Sequence, residues 1–205
     1  SKGHGCLALY SILADKGFIN KNDLFQFSKF NSYLAGHPEI STPGVETSTG
    51  SLGHGLSIGV GMAIALKIKK IKSRVIVIIG DGEINEGSIW ESALHASKHK
   101  LDNLIVIIDY NKIQSYGSTR EVCNLEPLSM KWKSFGFEVN EFDGHDYKQI
   151  SNAFKKKNSK KNKPLLFISH SIKGKGFPKA ENNPNWHHKR LNDEEIIELK
   201  EFFNK

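Results

Sequence analysis

Two runs of β-branched residues, "VIVII" at 75–79 and "LIVIID" at 104–109, flank a segment with helical periodicity, and no other feature limits the fold as tightly. Neither run alternates apolar with polar residues, so both strands are expected to be buried on both faces. Between them, "EGSIWESALHASKHK" places Ile89, Ala93, Leu94 and Ala96 at helical spacing. Strand, helix, strand in that order is a βαβ unit, whose crossover sets the two strands parallel. "FEVNEF" (137–142) and "PLLFISH" (164–170) read as further strands, the second preceded by a helical stretch around 146–157. The order predicts an α/β fold, a three-layer parallel sheet with helices on both faces.

Composition narrows the function classes. A chain of 205 residues, 38% hydrophobic and 25% charged, suits one soluble domain with a sizeable core, and we expect a single domain over 1–205. The net charge of +7 raises a nucleic-acid partner, yet of 29 basic residues only Arg74, Arg120 and Arg190 carry the bidentate guanidinium that base and phosphate recognition favours. The densest basic run, "KKKNSKKNK" at 155–163, has no interleaved aromatics for stacking and reads as a solvated face or linker. No nucleic-acid partner is expected. Cys6 and Cys123 stand far apart in no metal or redox spacing, which points to a reducing compartment. No apolar run reaches the roughly 18–20 residues that span a bilayer, and no leader is recognisable. The expected location is the cytoplasm, without membrane contact.

"TGSLGHGLSIGVGMAIALKIKK" (49–70) begins glycine-rich and becomes an apolar helix. Gly53, Gly55, Gly59 and Gly61 cost helix stability, so they imply either a tight helix contact or close backbone approach to a ligand, and both readings stay open. The tail "LNDEEIIELKEFF" (191–203) has an Asn or Asp cap ahead of Ile196, Ile197, Leu199, Phe202 and Phe203, and predicts a C-terminal helix packed on the body.

The turn after the first strand, "GDGEINEG" (80–87), carries three acids. Asn85 stands where the dinucleotide fingerprint needs its third glycine, and Ser88 where a phosphate-loop lysine is required, so both nucleotide motifs fail. An acidic turn repels a naked anion but accepts one bridged by a divalent cation. Ligands of open α/β sheets collect at the carboxyl ends of strands. Asp81 stands at one such end and Asn111 just past the next, so neighbouring strands would converge a carboxylate and an amide oxygen. Magnesium takes few protein oxygens and fills its octahedron with phosphate and water, and a helix starting after Gly82 would add N–H groups to the same phosphate. Taken singly, Asp81 and Asn111 read as turn and cap residues; the spacing across a βαβ unit favours a Mg-diphosphate site.

"GDGEINEGSIWESALHASKHKLDNLIVIIDYNKIQSYG" resembles the thiamine-diphosphate motif as worded in the transketolase family, GDG followed about thirty residues later by Asn. "SKGHGCLALY", "GHPEISTPGVETSTGSLGHGLSIGVGMA", "HSIKGKGF" and "ENNPNWHH" are similar to further transketolase segments in the same order. In particular, the chain resembles the N-terminal subunit of split transketolases. The resemblance implies that Asp81, Asn111 and the carbonyl of Ile113 hold magnesium or another divalent cation, and that Gly82 lets the backbone approach the diphosphate. It matches Glu86 to a buried glutamate linking paired active sites across a dimer, and Gly50 and Leu52 to a segment lining the cofactor. His4, His37 and His187 match histidines near the diphosphate and substrate channel, with His187 preferred over His188 and His54 standing where many members have Gln. Glu83 is left as a solvated acid.

The implied chemistry is transfer of a two-carbon ketol unit from a phosphorylated ketose to an aldose, with His4, His37, Glu86 and His187 as the catalytic set. The resemblance further implies a partner, the C-terminal pyrimidine-binding subunit, in a homodimer or heterotetramer, and a segment before "SKGHG" that this chain is expected to lack. Alone it is expected to hold at most half a cofactor site. Two other readings fit the same residues: the α subunit of a 2-oxo acid dehydrogenase, which shares the GDG-to-Asn motif, and a non-catalytic fragment of the same fold.

Overall fold

The structure, a computed structural model, describes residues 1–155 and 162–204. Most of the lysine run, at 156–161, lies outside the described residues. β-branched side chains pack well on a pleated surface, and the sheet is built from β1 (Val75–Gly80), β2 (Leu104–Tyr110), β5 (Glu138–Asp143) and β6 (Leu165–His170). All pairs are parallel, in the order β1-β2-β6-β5. A hairpin of β3 (Ile113–Gln114) and β4 (Gly117–Ser118) follows β2. The helices are α1 (Cys6–Asp15), α2 (His54–Ile68), α3 (Gly87–Lys98), α4 (Thr119–Val122), α5 (Leu128–Ser134), α6 (Tyr147–Lys155) and α7 (Asp193–Phe203).

The expected three layers are present. Over one face, Leu56 and Val60 of α2, Ile89 and Ala93 of α3, and Trp132 of α5 pack on Ile79, Val106, Ile108 and Ile168. Over the other, Ile150 and Phe154 of α6 meet Ile105, Phe142 and Phe167. Each fully buried aliphatic or aromatic side chain contributes about 1.5–3 kcal/mol, so the central strand β2, covered on both sides, anchors the body. The Cβ of an alanine at 59 would lie 2.4 Å from Val77 Cγ2, so Gly59 sets the distance of α2 from the sheet. For that glycine the tight-contact reading holds. A separate apolar cluster gathers Tyr10, Leu13 and Ala14 of α1 with Ile19 and Leu34. Its polar edge fixes the loop that follows, since Tyr10 Oη donates to the Ala35 carbonyl at 2.8 Å and Cys6 Sγ to that of Gly36 at 3.2 Å.

Three expectations need correction. β1 is an edge strand, and Ile76 and Ile78 are 48% and 49% exposed while Val77 and Ile79 are buried. An unbroken apolar run specifies the strand but not which neighbours cover it. Leu94 lies off the buried stripe of α3, which runs through Ile89, Ala93 and Ala96. α7 forms behind its cap, with Asn192 Oδ1 accepting Glu195 N–H at 2.8 Å and Glu195 Oε2 accepting Asn192 N–H at 3.0 Å. Yet Ile197, Phe202 and Phe203 stay exposed, and α7 is held by its capping box and the Lys179–Glu198 and Lys189–Glu195 ion pairs more than by apolar burial. No helix among the described residues is long and apolar enough to cross a membrane.

Candidate functional site

In the β1–β2 ladder Gly80 pairs with Asp109, so Asp81 and Asn111 leave the sheet side by side at its carboxyl edge. Asp81 is 3% exposed. Its Oδ1 accepts the Gly82 N–H at 2.8 Å and its Oδ2 the Lys112 N–H at 2.6 Å, which locks the two strand ends together across 31 residues. Asn111 is 8% exposed, and its Oδ1 accepts the Ile113 N–H at 3.0 Å as the chain turns into β3. The structure thus brings the predicted pair together, with Ile113 next to it. Burial pushes the Asp81 carboxyl up to about 6, and the nearby Asp109 adds to the rise against the two N–H donors and Lys2. A carboxylate so placed is short of a positive neighbour.

Among the described residues no three His, Cys, Asp or Glu side chains converge on a metal-sized space. That suits a cation held by one carboxylate, one amide and backbone, with phosphate oxygens completing it, and excludes a His/Cys-rich transition-metal centre among the described residues. Gly82 has no room beyond its hydrogens: a Cβ there would lie 3.2 Å from Gln114 Cγ. Gln114 Nε2 is buried without a partner, as is Thr49 Oγ1 beside Gly3. These two unpaired polar atoms flank the cradle and suit oxygen-rich ligand groups.

The acidic turn itself departs from expectation. Gly82–Asn85 form a single 3-10 turn, and α3 begins only at Gly87, so the N-terminus of α3 does not follow Gly82 directly. The turn swings Glu83 inward. It is 2% exposed rather than solvated, and it accepts the Gly53 N–H at 2.8 Å, the Gly80 N–H at 3.1 Å and the Ser1 hydroxyl. Gly53 caps α2 at φ +85°, in the left-handed region, where a Cβ would meet Glu86 Cβ at 2.8 Å. Glu83 therefore binds the loop carrying Gly50 and Leu52 to the turn carrying Asp81. Glu86 is exposed on the single chain, as are Gly50 and Leu52.

Facing this acidic arm is a cationic one. Lys2 pairs with Asp109, and Lys173 Nζ lies 2.9 Å from His187 Nδ1. The His187 ring stands 5.5 Å from that of His4 and 4.6 Å from that of His188. Burial, then Lys173, His188, His4 and Lys2, lowers His187 to about 4. Burial and Lys2 lower His4 as well. An ammonium only donates, so Lys173 makes Nδ1 of His187 the acceptor and leaves Nε2 as the N–H donor. His37 adjoins through Gly3, whose added Cβ would lie 3.1 Å from His37 Cδ2. His54 opens α2 and faces a pocket with Ser48, Thr49 and Ser51.

Sequence reasoning missed Lys2, Asp109, Ser171, Lys173 and the burial of Glu83. Lys173 stood in the quoted "HSIKGKGF" and Asp109 ended "LIVIID", but nothing local distinguishes them from solvated charges.

The family described as transketolase, thiamine diphosphate binding domain, matches residues 1–204. One of the two subunits of an apulose-4-phosphate transketolase from Phocaeicola vulgatus is 46% identical over 92% of this chain and 67% of its own length. A 6-deoxy-6-sulfo-D-fructose transketolase subunit from a Clostridium species is 40% identical over 95% of this chain and 71% of its own. The crystal structure of a Campylobacter jejuni transketolase superposes with a TM-score of 0.92 at 37% identity, over 98% of this chain and 33% of that one. The chain thus spans a third of that solved enzyme.

Proposed function

Because the chain belongs to the transketolase family and constitutes its thiamine-diphosphate-binding domain, we propose that it is the diphosphate-binding subunit of a two-chain transketolase, moving a two-carbon ketol unit from a phosphorylated ketose to an aldose. One observation carries the site: Asp81 and Asn111, from separate strands, are held side by side with their oxygens at the sheet's carboxyl edge. They would hold magnesium or another divalent cation, with the carbonyl of Ile113, and Gly82 would admit the diphosphate backbone-close. Bound thiamine supplies the carbanion chemistry that the side chains cannot. His4, His37 and His187 stand on the facing arm to bind and orient substrate, and His187 Nε2–H is a donor at neutral pH. Exposed Glu86 beside the Gly53 cap supports a contact with a second chain, in a dimer of such units or a heterotetramer with a pyrimidine-binding partner in the cytoplasm.

The 2-oxo acid dehydrogenase reading is not favoured, since the matching family and the relatives above are transketolases. The test is co-expression with a pyrimidine-binding partner chain, followed by a ketol-transfer assay with and without thiamine diphosphate. Donors include ordinary ketose phosphates, apulose 4-phosphate and 6-deoxy-6-sulfo-D-fructose, the latter two from the names of relatives. Transfer that needs both chains and the cofactor supports the proposal; oxidation of 2-oxo acids with no ketol transfer sinks it.

A further inference from the structure

Asp109 touches none of the groups assigned above to substrate, yet three parts of the site meet at its carboxylate. Lys2, next to His4, donates to Oδ2, and Ser171, two residues before Lys173, donates its hydroxyl to Oδ1. Asn111 Nδ2 stands 3.5 Å from Oδ2. Burial pushes the Asp109 carboxyl up, but Lys2, Ser171 and Asn111 outweigh it and hold it below the usual range. An ionised carboxylate accepts and never donates. Placed against the Asn111 amide it tolerates only the NH2 end. On the other side the Ile113 N–H donates at 3.0 Å, so it tolerates only the oxygen. The two neighbours together leave the amide one orientation, in which Oδ1 points to the turn shared with Asp81.

We infer that Asp109 is a positioning residue for the metal arm: it sets which end of the Asn111 amide is offered to a divalent cation, and Lys2 and Ser171 fix Asp109 for that task. The inference rests on the cation reading of the Asp81–Asn111 cradle. A partner one step behind a ligand typically governs metal affinity by about 10- to 100-fold. Asp109→Asn frees the constraint, because an amide can meet Asn111 with either end, and the ligand oxygen is then exchanged for NH2 in part of the molecules. Removing a negative charge near a cation also weakens binding, so the orientation effect needs a control. Asn111→Asp provides it: a carboxylate offers an oxygen whichever way it turns, so in that background Asp109 has no amide to orient, while its charge acts as before.

The experiment titrates Mn2+, read by electron paramagnetic resonance, into the chain assembled with its pyrimidine-binding partner, in saturating thiamine diphosphate. Four forms are compared: the natural chain, Asp109→Asn, Asn111→Asp and the double variant, with Asp81→Ala in parallel. The expected result is a dissociation constant weakened about 10-fold or more by Asp109→Asn in the natural background and far less in the Asn111→Asp background, a positive coupling in the cycle. The turnover number of Asp109→Asn recovers at saturating metal, which a misfolded chain does not do. An unchanged dissociation constant, or an equal loss in both backgrounds, overturns the inference. If Asp81→Ala also leaves Mn2+ binding intact, the cation reading itself is wrong; if Asp81→Ala abolishes it, only the role of Asp109 is.

Discussion

The two arms of the site treat charge in opposite ways. On the strand-end arm, acids are kept within a few residues of one another and held by backbone N–H groups: two on Asp81 and two on Glu83. On the facing arm, Lys2, Lys173, His4, His187 and His188 crowd together with few acceptors, and crowding plus burial discourages protonation of the imidazoles. The difference is one of rigidity. Backbone donors belong to the sheet and fix the acid positions before any ligand arrives, whereas the cationic arm consists of side chains from three segments of sequence. The first arm suits a cation with strict geometry, the second a substrate whose anionic groups supply the missing acceptors.

The largest expected effect tests the rigid arm. Asp81→Ala removes its central oxygen pair, and calorimetric titration of the assembled enzyme should show no magnesium-dependent thiamine-diphosphate binding; unchanged affinity would mean that the acids serve the fold alone. Next comes Glu83→Ala. It strands the Gly53 and Gly80 N–H groups, each costing about 1–3 kcal/mol when buried and unpaired, so denaturant unfolding should show a loss of about 2–6 kcal/mol. A loss below that range would place water, not Glu83, on those donors.

Smaller effects belong to the cationic arm. Lys173→Met removes the second contributor to the lowered His187 pKa and leaves burial in place. NMR titration of the imidazole should find it moved part of the way from about 4 back toward 6.5. No movement would show that the two side chains are not neighbours in solution. The smallest effect is on stability against pH. The folded chain protonates His187 only near pH 4, while the unfolded chain does so near 6.5. Between those values the unfolded state binds more protons, so stability is lost as pH falls. His187→Gln should unfold at a denaturant concentration like that of the natural chain above pH 6.5 and decline less between 6.5 and 4. Solvent reaches His187 and screens its neighbours, which keeps this difference below that of Glu83→Ala.

What the sequence disclosed follows the same division. The βαβ unit was legible because β-branched runs and the stripe of Ile89, Ala93 and Ala96 carry their periodicity locally. Asp81 and Asn111 were legible because parallel pairing of successive strands places their ends together. Glu83 was not, since its burial depends on Gly53, thirty residues away, and on a 3-10 turn where a helix was expected. Asp109 looks like any acid ending a strand until Lys2 and Ser171 are brought to it. The exposed face of β1 was hidden for a related reason: a run of Val and Ile states its preference for burial, while strand order decides whether cover exists. The hairpin at 113–118 is too short for either periodicity to register.

The pair Asp109–Ser171 spans 62 residues and Lys2–Asp109 spans 107. Neither can close until β6 has taken its place between β2 and β5, a non-local step of the kind that slows the folding of parallel sheets. Asp81 meets Lys112 earlier, within one βαβ unit. A chain caught between those two events already has its acids in line but no clamp on Asp109, so the capacity to bind the cofactor is acquired late and marks a finished topology. For newly made protein, the ligand then acts as a quality check, stabilising only molecules in which the last strand has docked.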